Sequence, residues 1–377
     1  MKIIQVIGDS SISGGPRHVL LLAKELARRG HQQIVICPPG YLANQLEKAG
    51  IQTVKIRMRG PFDRQADHQI RAVLLKEKPD ILHCHGVRGG WLGRLAARKI
   101  PHLPVVYTEH LWTKEYHLSN PLWEQFQIRG LQFLDRYTQK TIAVSKAVRA
   151  GLIHRKITRP EKIVVIPNFL PPEVFQLKRY QKPRSVGIMI GSVGSLNPQK
   201  NYQTLIRAAE VIHRNHQVIH SPVKFQIVGE GKLQKKLQNL IARAKLEKVF
   251  FLRGRVEDVY ETMRHFTIYV QPSISESFGL AVAEAMALQL PVVASEISAF
   301  KELVKPNQTG LLVPPKDYRG LAKALQKLIQ NPGLCQRLGQ NASREVKKRY
   351  TIERVVPKII KVYQEAIEEK RQSFSHT

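Results

Sequence analysis

The chain is short of cysteine, of acidic residues and of long apolar runs. Its 377 residues hold three cysteines, Cys37, Cys84 and Cys335, far apart in sequence. That spacing excludes a disulfide framework and a cysteine-built metal centre, and it suits buried thiols in a reducing compartment. No stretch nears the roughly 18 apolar residues of a membrane-crossing helix, so a bilayer span is not expected. The opening MKIIQVIG reads as a strand cut off at Gly8-Asp9, too short for a secretory leader. Acids number 29 against 60 lysines and arginines, a formal charge of +31. This exceeds what solubility needs and attracts anionic partners over distance: nucleic acid, acidic lipid headgroups or nucleotide-sugars. Nothing matches a recognised nucleic-acid-binding module, so no specific nucleic acid partner is expected.

What is present is organised around Ser273–Ser295, SISESFGLAVAEAMALQLPVVAS. An apolar strand, Ile268-Tyr269-Val270, leads into it. A polar loop carries Glu276. After Gly279, a run of small and apolar residues with helical spacing carries Glu284, and Pro291 restarts the chain as a buried strand. Such a strand–loop–helix unit delivers a carboxylate and unpaired backbone N–H groups to the mouth of a parallel sheet, where a helix N-terminus favours an anion. Glu284 lies roughly 7 Å further along at 1.5 Å per residue. A phosphate at the helix start then meets a carboxylate on each side, and carboxylates accept paired sugar hydroxyls well.

The length points to two domains. Lys2–Gly8 is a buried strand, followed by a glycine-rich loop, residues 9–16 with Gly14 and Gly15, and a helix from about Arg17 to Arg29. Glycines there allow close backbone approach to a phosphate or sugar, although the spacing is not the dinucleotide G-x-G-x-x-G. Strands are expected at Gln32–Cys37 and Ile51–Ile56, a loop over residues 58–68 and a helix over Gln69–Glu77. Residues 79–86 (PDILHCHG) form a strand with His83 and His85 on one face; two histidines are too few for a metal, and hydrogen-bonded roles are preferred. Val105–His110 ends at the same sheet edge, the edge at which open α/β sheets bind ligands. Residues 111–140 interleave Trp112, Trp123, Phe126 and Phe133 with Lys114, Arg129 and Arg136. The mixture suits a helix on a membrane surface and equally a helix packed on its own domain.

The ESFGLAVAEAMA string resembles the E-x7-E signature of retaining glycosyltransferases, in particular glycosyltransferase family 4, and the likeness runs along nearly the whole chain. Residues 79–86, the VSxxV turn at Ser145, the VIPN of residues 165–168, the GSLNPQKN of residues 194–201 and the GLLVPPKD of residues 310–317 all resemble family motifs. The resemblance implies an α/β chain of GT-B fold, two Rossmann-like domains facing across a cleft. The domains are 1–170 on the acceptor side and 185–350 on the nucleotide-sugar side, with a linker over 171–184 and a C-terminal helix over 351–377 that packs back on the first domain. It implies hexosyl transfer from a nucleotide-diphospho-sugar to an acceptor hydroxyl with retention. The nucleotide-sugar is a substrate, and no cofactor is expected. No Asp-x-Asp stands near a strand end, so no metal is expected either. Site roles carried by the resemblance are Lys200 on the diphosphate, the N–H groups of Phe278, Gly279 and Leu280 on the departing phosphates, and Glu284 on the ribose. Glu276 and His110 go to the sugar, and Gly14 and Gly15 to the donor. Two positions depart from the pattern: Ser195 replaces the usual arginine, and Phe169 replaces a glycine. The expected partners are the donor, a glycan or lipid-linked acceptor and an anionic membrane surface at the cytoplasmic face. Rival readings are an inactive GT-B scaffold, which Ser195 favours, a nucleotide-sugar epimerase, and a basic nucleic-acid-binding protein.

Overall fold

The structure, a computed structural model, describes residues 1–177, 187–214 and 222–375. The chain divides into two units, Met1–Phe169 with Ile352–Thr377, and Leu170–Thr351. The second half of the linker stretch, residues 178–184, and the expected start of the second domain at 185 lie outside the described residues.

Unit 1 alternates strand and helix: β1 (Lys2–Ile7), α1 (Gly14–Arg28), β2 (Gln32–Cys37), α2 (Tyr41–Lys48), β3 (Gln52–Lys55), α3 (Arg64–Glu77), β4 (Ile81–His85), α4 (Gly86–Ala97), β5 (Val105–Glu109), α5 (Pro121–Leu134), β6 (Lys140–Ala143), α6 (Lys146–His154) and β7 (Ile163–Val165). All seven strands are parallel, in the order β3-β2-β1-β4-β5-β6-β7. The order reverses between β1 and β4, the point at which such sheets open a crevice at their carboxyl ends. The strands read as continuous apolar runs because helices cover both faces.

Two boundaries differ from the sequence reading. Gly14 and Gly15 belong to the first turn of α1 rather than to a loop. Ser13 is extended (φ −145°, ψ 174°) and starts the helix. Pro16 is tolerated in the first turn, because the N–H it lacks would have no partner there. Helix α3 begins at Arg64 instead of near 69, because the Asp63 carboxylate accepts from Ala66 N at 3.1 Å and caps it.

Unit 2 holds α7 (Pro172–Gln176), β8 (Ile188–Val193), α8 (Tyr202–Arg214), β9 (Val223–Val228), α9 (Gln234–Arg243), β10 (Phe250–Leu252), α10 (Val259–Arg264), β11 (Ile268–Gln271), α11 (Leu280–Ala287), β12 (Val292–Ser295), α12 (Ser298–Leu303), β13 (Leu311–Val313), α13 (Tyr318–Gln330) and α14 (Pro332–Arg349). Its six strands are also parallel, in the order β10-β9-β8-β11-β12-β13. The switch falls between β8 and β11. Ile190, Phe225, Ile268 and Val293 from the sheet pack with Leu205 and Ala209 of α8 and Leu325 of α13 into one core. The last helix, α15 (Ile352–Ser375), belongs to unit 1, where Val355, Ile359 and Tyr363 join Ile3, Leu22, Ile81 and Val106 in the core.

Candidate active site

In unit 2 the strands on either side of the switch each deliver one charged side chain. Lys200 follows β8 and Glu276 follows β11, and Lys200 Nζ donates to Glu276 Oε1 at 2.6 Å. Both side chains are mostly covered, 18% and 15% exposed. Burial is the largest single influence and pushes the Lys200 ammonium down, but the charge and hydrogen bond of Glu276, together with Tyr202, outweigh it and the net shift is upward. Lysine is therefore held charged inside the crevice.

The pair is set in place by backbone geometry. Asn197 accepts from Lys200 N at 3.1 Å and its amide donates to the exposed Ser195 hydroxyl at 3.0 Å. Gly194 has φ +153°, and a Cβ there would sit 2.9 Å from Lys200 Cε. The turn after β9 supports this loop by backbone contact: Leu196 N donates to Glu230 O at 2.9 Å, and a Cβ on Gly231 would come within 2.5 Å of Leu196 O. On the other side, a relay fixes the carboxylate. Tyr269 OH donates to Gln271 Oε1 (2.8 Å), Gln271 Nε2 to Ser273 Oγ (3.0 Å) and Ser273 Oγ to Glu276 Oε1 (2.9 Å). The sequence reading missed these three residues. Their signal was the alternation Tyr269, Gln271, Ser273, polar tips on one face of an otherwise apolar strand.

Gly279 caps α11 with left-handed backbone (φ 91°, ψ 54°), and a Cβ there would meet Phe300 at 2.5 Å, so glycine is required twice over. Phe278 is buried with its ring edge-on to Tyr350, which leaves only its main chain to offer to a ligand. Glu284 is 3% exposed on the second turn of α11 and accepts from Tyr260 OH at 3.2 Å. The structure thus brings together Ser195, Lys200 and Glu276, and places Phe278, Gly279, Leu280 and Glu284 on the same strand–loop–helix unit.

In unit 1 the crevice between β1 and β4 is lined with histidine. His18 of α1, His83 and His85 of β4, and His110 just after β5 lie ring against ring, with centroids 3.9 Å (His83–His85), 5.3 Å (His18–His110), 5.8 Å (His18–His85) and 5.9 Å (His85–His110) apart. His83 is fully used, bonded to Tyr363 OH and Thr108 Oγ1 at 2.6 Å each. His85 Nε2 meets Gln5 Oε1 at 3.1 Å; an amide oxygen only accepts, so Nε2 carries the proton and Nδ1 is an acceptor. That Nδ1 and His110 Nε2 are buried without a hydrogen-bond partner, whereas His18 has the Asn168 side chain beside it. Burial holds all four imidazoles neutral: His110 at about 4, His83 at about 3, His18 and His85 well below the usual value. Phe169, where a glycine was expected, packs its ring 4.9 Å from His18 and closes the cluster. Gly14 and Gly15 stand one turn or less before His18, and a Cβ on Gly15 would meet no protein atom nearer than 3.9 Å. Among the described residues no three acids, histidines or cysteines are grouped to hold a metal ion.

The family profile "Glycosyltransferase Family 4" matches residues 12–174, and the profile "Glycosyl transferases group 1" matches residues 176–345. The Escherichia coli UDP-Gal:alpha-D-GlcNAc-diphosphoundecaprenol alpha-1,3-galactosyltransferase is 30% identical over 77% of this chain and 76% of its own. The chain belongs to glycosyltransferase family 4. The phosphatidyl-myo-inositol mannosyltransferase of Mycobacterium leprae is 29% identical over 94% of this chain and 93% of its own. Among solved structures, Anabaena Alr3699/HepE in complex with UDP matches 97% of this glycosyltransferase and all of that chain, with a TM-score of 0.81 at 21% identity. The fold of this family 4 glycosyltransferase is GT-B, built from two Rossmann-like, parallel-sheet units. Its relatives include enzymes of cell-surface glycan and glycolipid synthesis.

Proposed function

We propose that this glycosyltransferase moves a hexosyl unit from a nucleotide-diphospho-sugar to an acceptor hydroxyl, with retention of configuration and without a metal ion. The observation that carries the reading is the Lys200–Glu276 pair beside the glycine-capped start of α11. Charge grows on the diphosphate as the sugar leaves. Lys200 and the N–H groups of Phe278, Gly279 and Leu280 stabilise that charge, the kind of preorganised electrostatics that contributes most to catalysis. Glu276, held by Ser273, takes sugar hydroxyls and supports positive character at the anomeric carbon. Glu284 takes the ribose. Gly14 and Gly15 let the donor approach the start of α1, and the unpartnered Nε2 of His110 takes a sugar hydroxyl.

The E. coli and M. leprae relatives, named for a diphosphoundecaprenol-linked acceptor and a phosphatidyl-inositol, support a role in cell-surface glycan or glycolipid synthesis. Such acceptors, and the charge of +31, favour work at the cytoplasmic face of an anionic membrane. The bound UDP of HepE supports a nucleotide-sugar donor.

The test is a thermal-shift and hydrolysis screen against UDP-, GDP- and ADP-sugars, with and without EDTA. A ligand that binds only the folded state raises the melting point. One donor that stabilises the protein and is slowly hydrolysed in EDTA is the expected result. No stabilisation by any of them moves the reading to the inactive scaffold.

A further inference from the structure

Helix α5 is apolar on two opposite faces. Ile128, Leu131 and Leu134 face the interior of unit 1, as in any amphipathic helix. On the other side, Leu122 (82% exposed), Phe126 (36%) and Phe133 (41%) fall at i, i+4 and i+11, one stripe about 16 Å long at 1.5 Å per residue. The stripe is widened by Trp123, stacked on Phe126 at 5.0 Å, and by Phe62, 65% exposed and 5.4 Å from Phe126. Exposed aromatics in contact with one another are not the scattered apolar residues of an ordinary surface. Charge of one sign accompanies them. Arg59, Arg64, Arg129 and Arg136 are exposed on the same two segments, whereas the acids there are taken up by local partners: Asp63 caps α3, Glu124 is buried against Leu118 N and His117, and Asp135 pairs with Lys162.

A pocket of about 720 Å³ opens where this stripe ends. Arg136 belongs to both: it lies 5.9 Å over the Phe133 ring and lines the pocket. Lys156, Arg159 and Lys162 line it too, and the only acid in its lining is Asp135. Among the described residues Arg136, Lys156 and Arg159 have no carboxylate partner. Cations near helix C-termini also complement the helix dipole, but that does not account for Thr158. This residue lines the pocket, is 7% exposed, and its hydroxyl has no hydrogen-bond partner. The pocket lies at the amino ends of β6 and β7, the edge of the sheet opposite the histidine cluster, so it is separate from the site described above.

We propose that this face of unit 1 docks on an anionic bilayer, with the α5 stripe entering the interface and the pocket at its end holding a lipid phosphate. Aromatic side chains settle at the headgroup level, and arginine and a hydroxyl suit a phosphate. The proposal deepens the membrane part of the functional reading but does not depend on the transfer chemistry.

Full-length protein is floated with vesicles of phosphatidylcholine alone or mixed with phosphatidylglycerol. Binding to the anionic vesicles only is expected. Brominated acyl chains should quench Trp123, because Trp91 and Trp112 are 6% and 0% exposed, and W123F should lose that quenching. K156A/R159A should lower partitioning about fivefold for each charge, and L122S/F133S about tenfold. The control K235A/K236A removes the same charge from exposed positions on α9 of unit 2 and should bind as wild type. Donor thermal shifts should be unchanged in every variant, which keeps this test apart from the transferase reading. The proposal is overturned if wild type does not float, if the control loses as much as K156A/R159A, or if L122S/F133S keeps full partitioning. It is equally overturned if that variant changes sedimentation mass instead, or if inorganic phosphate raises the melting point through Lys156 and Arg159 while vesicles stay unbound.

Discussion

The two units carry the same strand order around the same switch point and fill it in opposite ways. Unit 2 puts an ammonium and a carboxylate 2.6 Å apart, each the partner of the other. Unit 1 packs four imidazoles that burial keeps uncharged, with a ring nitrogen of His85 and one of His110 left unpaired. A buried ion pair is held by mutual need: remove one member and the other is stranded. A cluster of neutral rings has no such dependence, but its unpaired nitrogens remain open to hydroxyls. The comparison gives the two sheets carboxyl ends of different chemistry, one charged and the other lined with uncharged polar groups.

The largest effect expected from breaking the comparison is on the charged end. K200A and E276Q should each lower turnover about 10²- to 10³-fold, the range seen on removing one preorganised electrostatic group, measured as sugar transfer or donor hydrolysis. Each single change should also lower the melting point, because a mostly covered charge loses its partner. The double variant K200M/E276L should recover melting temperature, since a well-packed apolar pair often replaces a buried ion pair at no cost, while activity stays lost. Turnover intact in the single variants would sink the assignment.

The neutral end predicts an effect of acid that is confined to unit 1. Histidines buried neutral have folded pKa values below the ordinary value of about 6.5, so the unfolded chain binds more protons between the two. Their contribution is complete above pH 6.5 and is lost as pH falls toward about 4 for His110 and about 3 for His83. Each histidine should weaken the fold by about 1.4 kcal/mol per pH unit in that window. Urea titrations at pH 7.5, 6.5 and 5.5, read with hydrogen exchange on unit 1 and unit 2 amides separately, check this. H110Q should reduce the slope by one histidine's share. Equal acid sensitivity of both units would show that the cluster is not its source.

Much of this was readable in the sequence because the periodicities that betray it are local. The strand β2 and helix α11 follow from apolar runs bounded by breakers, and Ser145 declares itself as an N-cap, accepting from Val148 N at 3.0 Å. What escaped depends on partners far away in sequence. No pattern near residue 276 announces that Lys200, 76 positions earlier, donates to it, and none near His83 announces Tyr363, 280 positions later. Gly14 and Gly15 were misplaced because glycine in a first turn looks, in sequence, like glycine in a loop. Phe169 looked like a broken motif, yet its ring is a wall of the histidine cluster, visible only once α1 brings His18 beside it.

The smallest expected effect sharpens the charged end. Ser195 is exposed beside the Lys200 loop, held only by the Asn197 amide, and supplies a hydroxyl where the family resemblance leads one to expect a guanidinium. An arginine there would add a second cation for the diphosphate, but on a flexible, solvated side chain, where charge-assisted contacts are worth about 1 kcal/mol. S195R should therefore lower KM for the donor about fivefold and leave kcat within about twofold, since the effect is on ground state and transition state alike. The melting point should not move, because nothing is packed on the site of the new side chain. If instead kcat rose by orders of magnitude, the serine would mark a transferase switched off at this position, and Lys200 with Glu276 would be a site that needs a third charge to work.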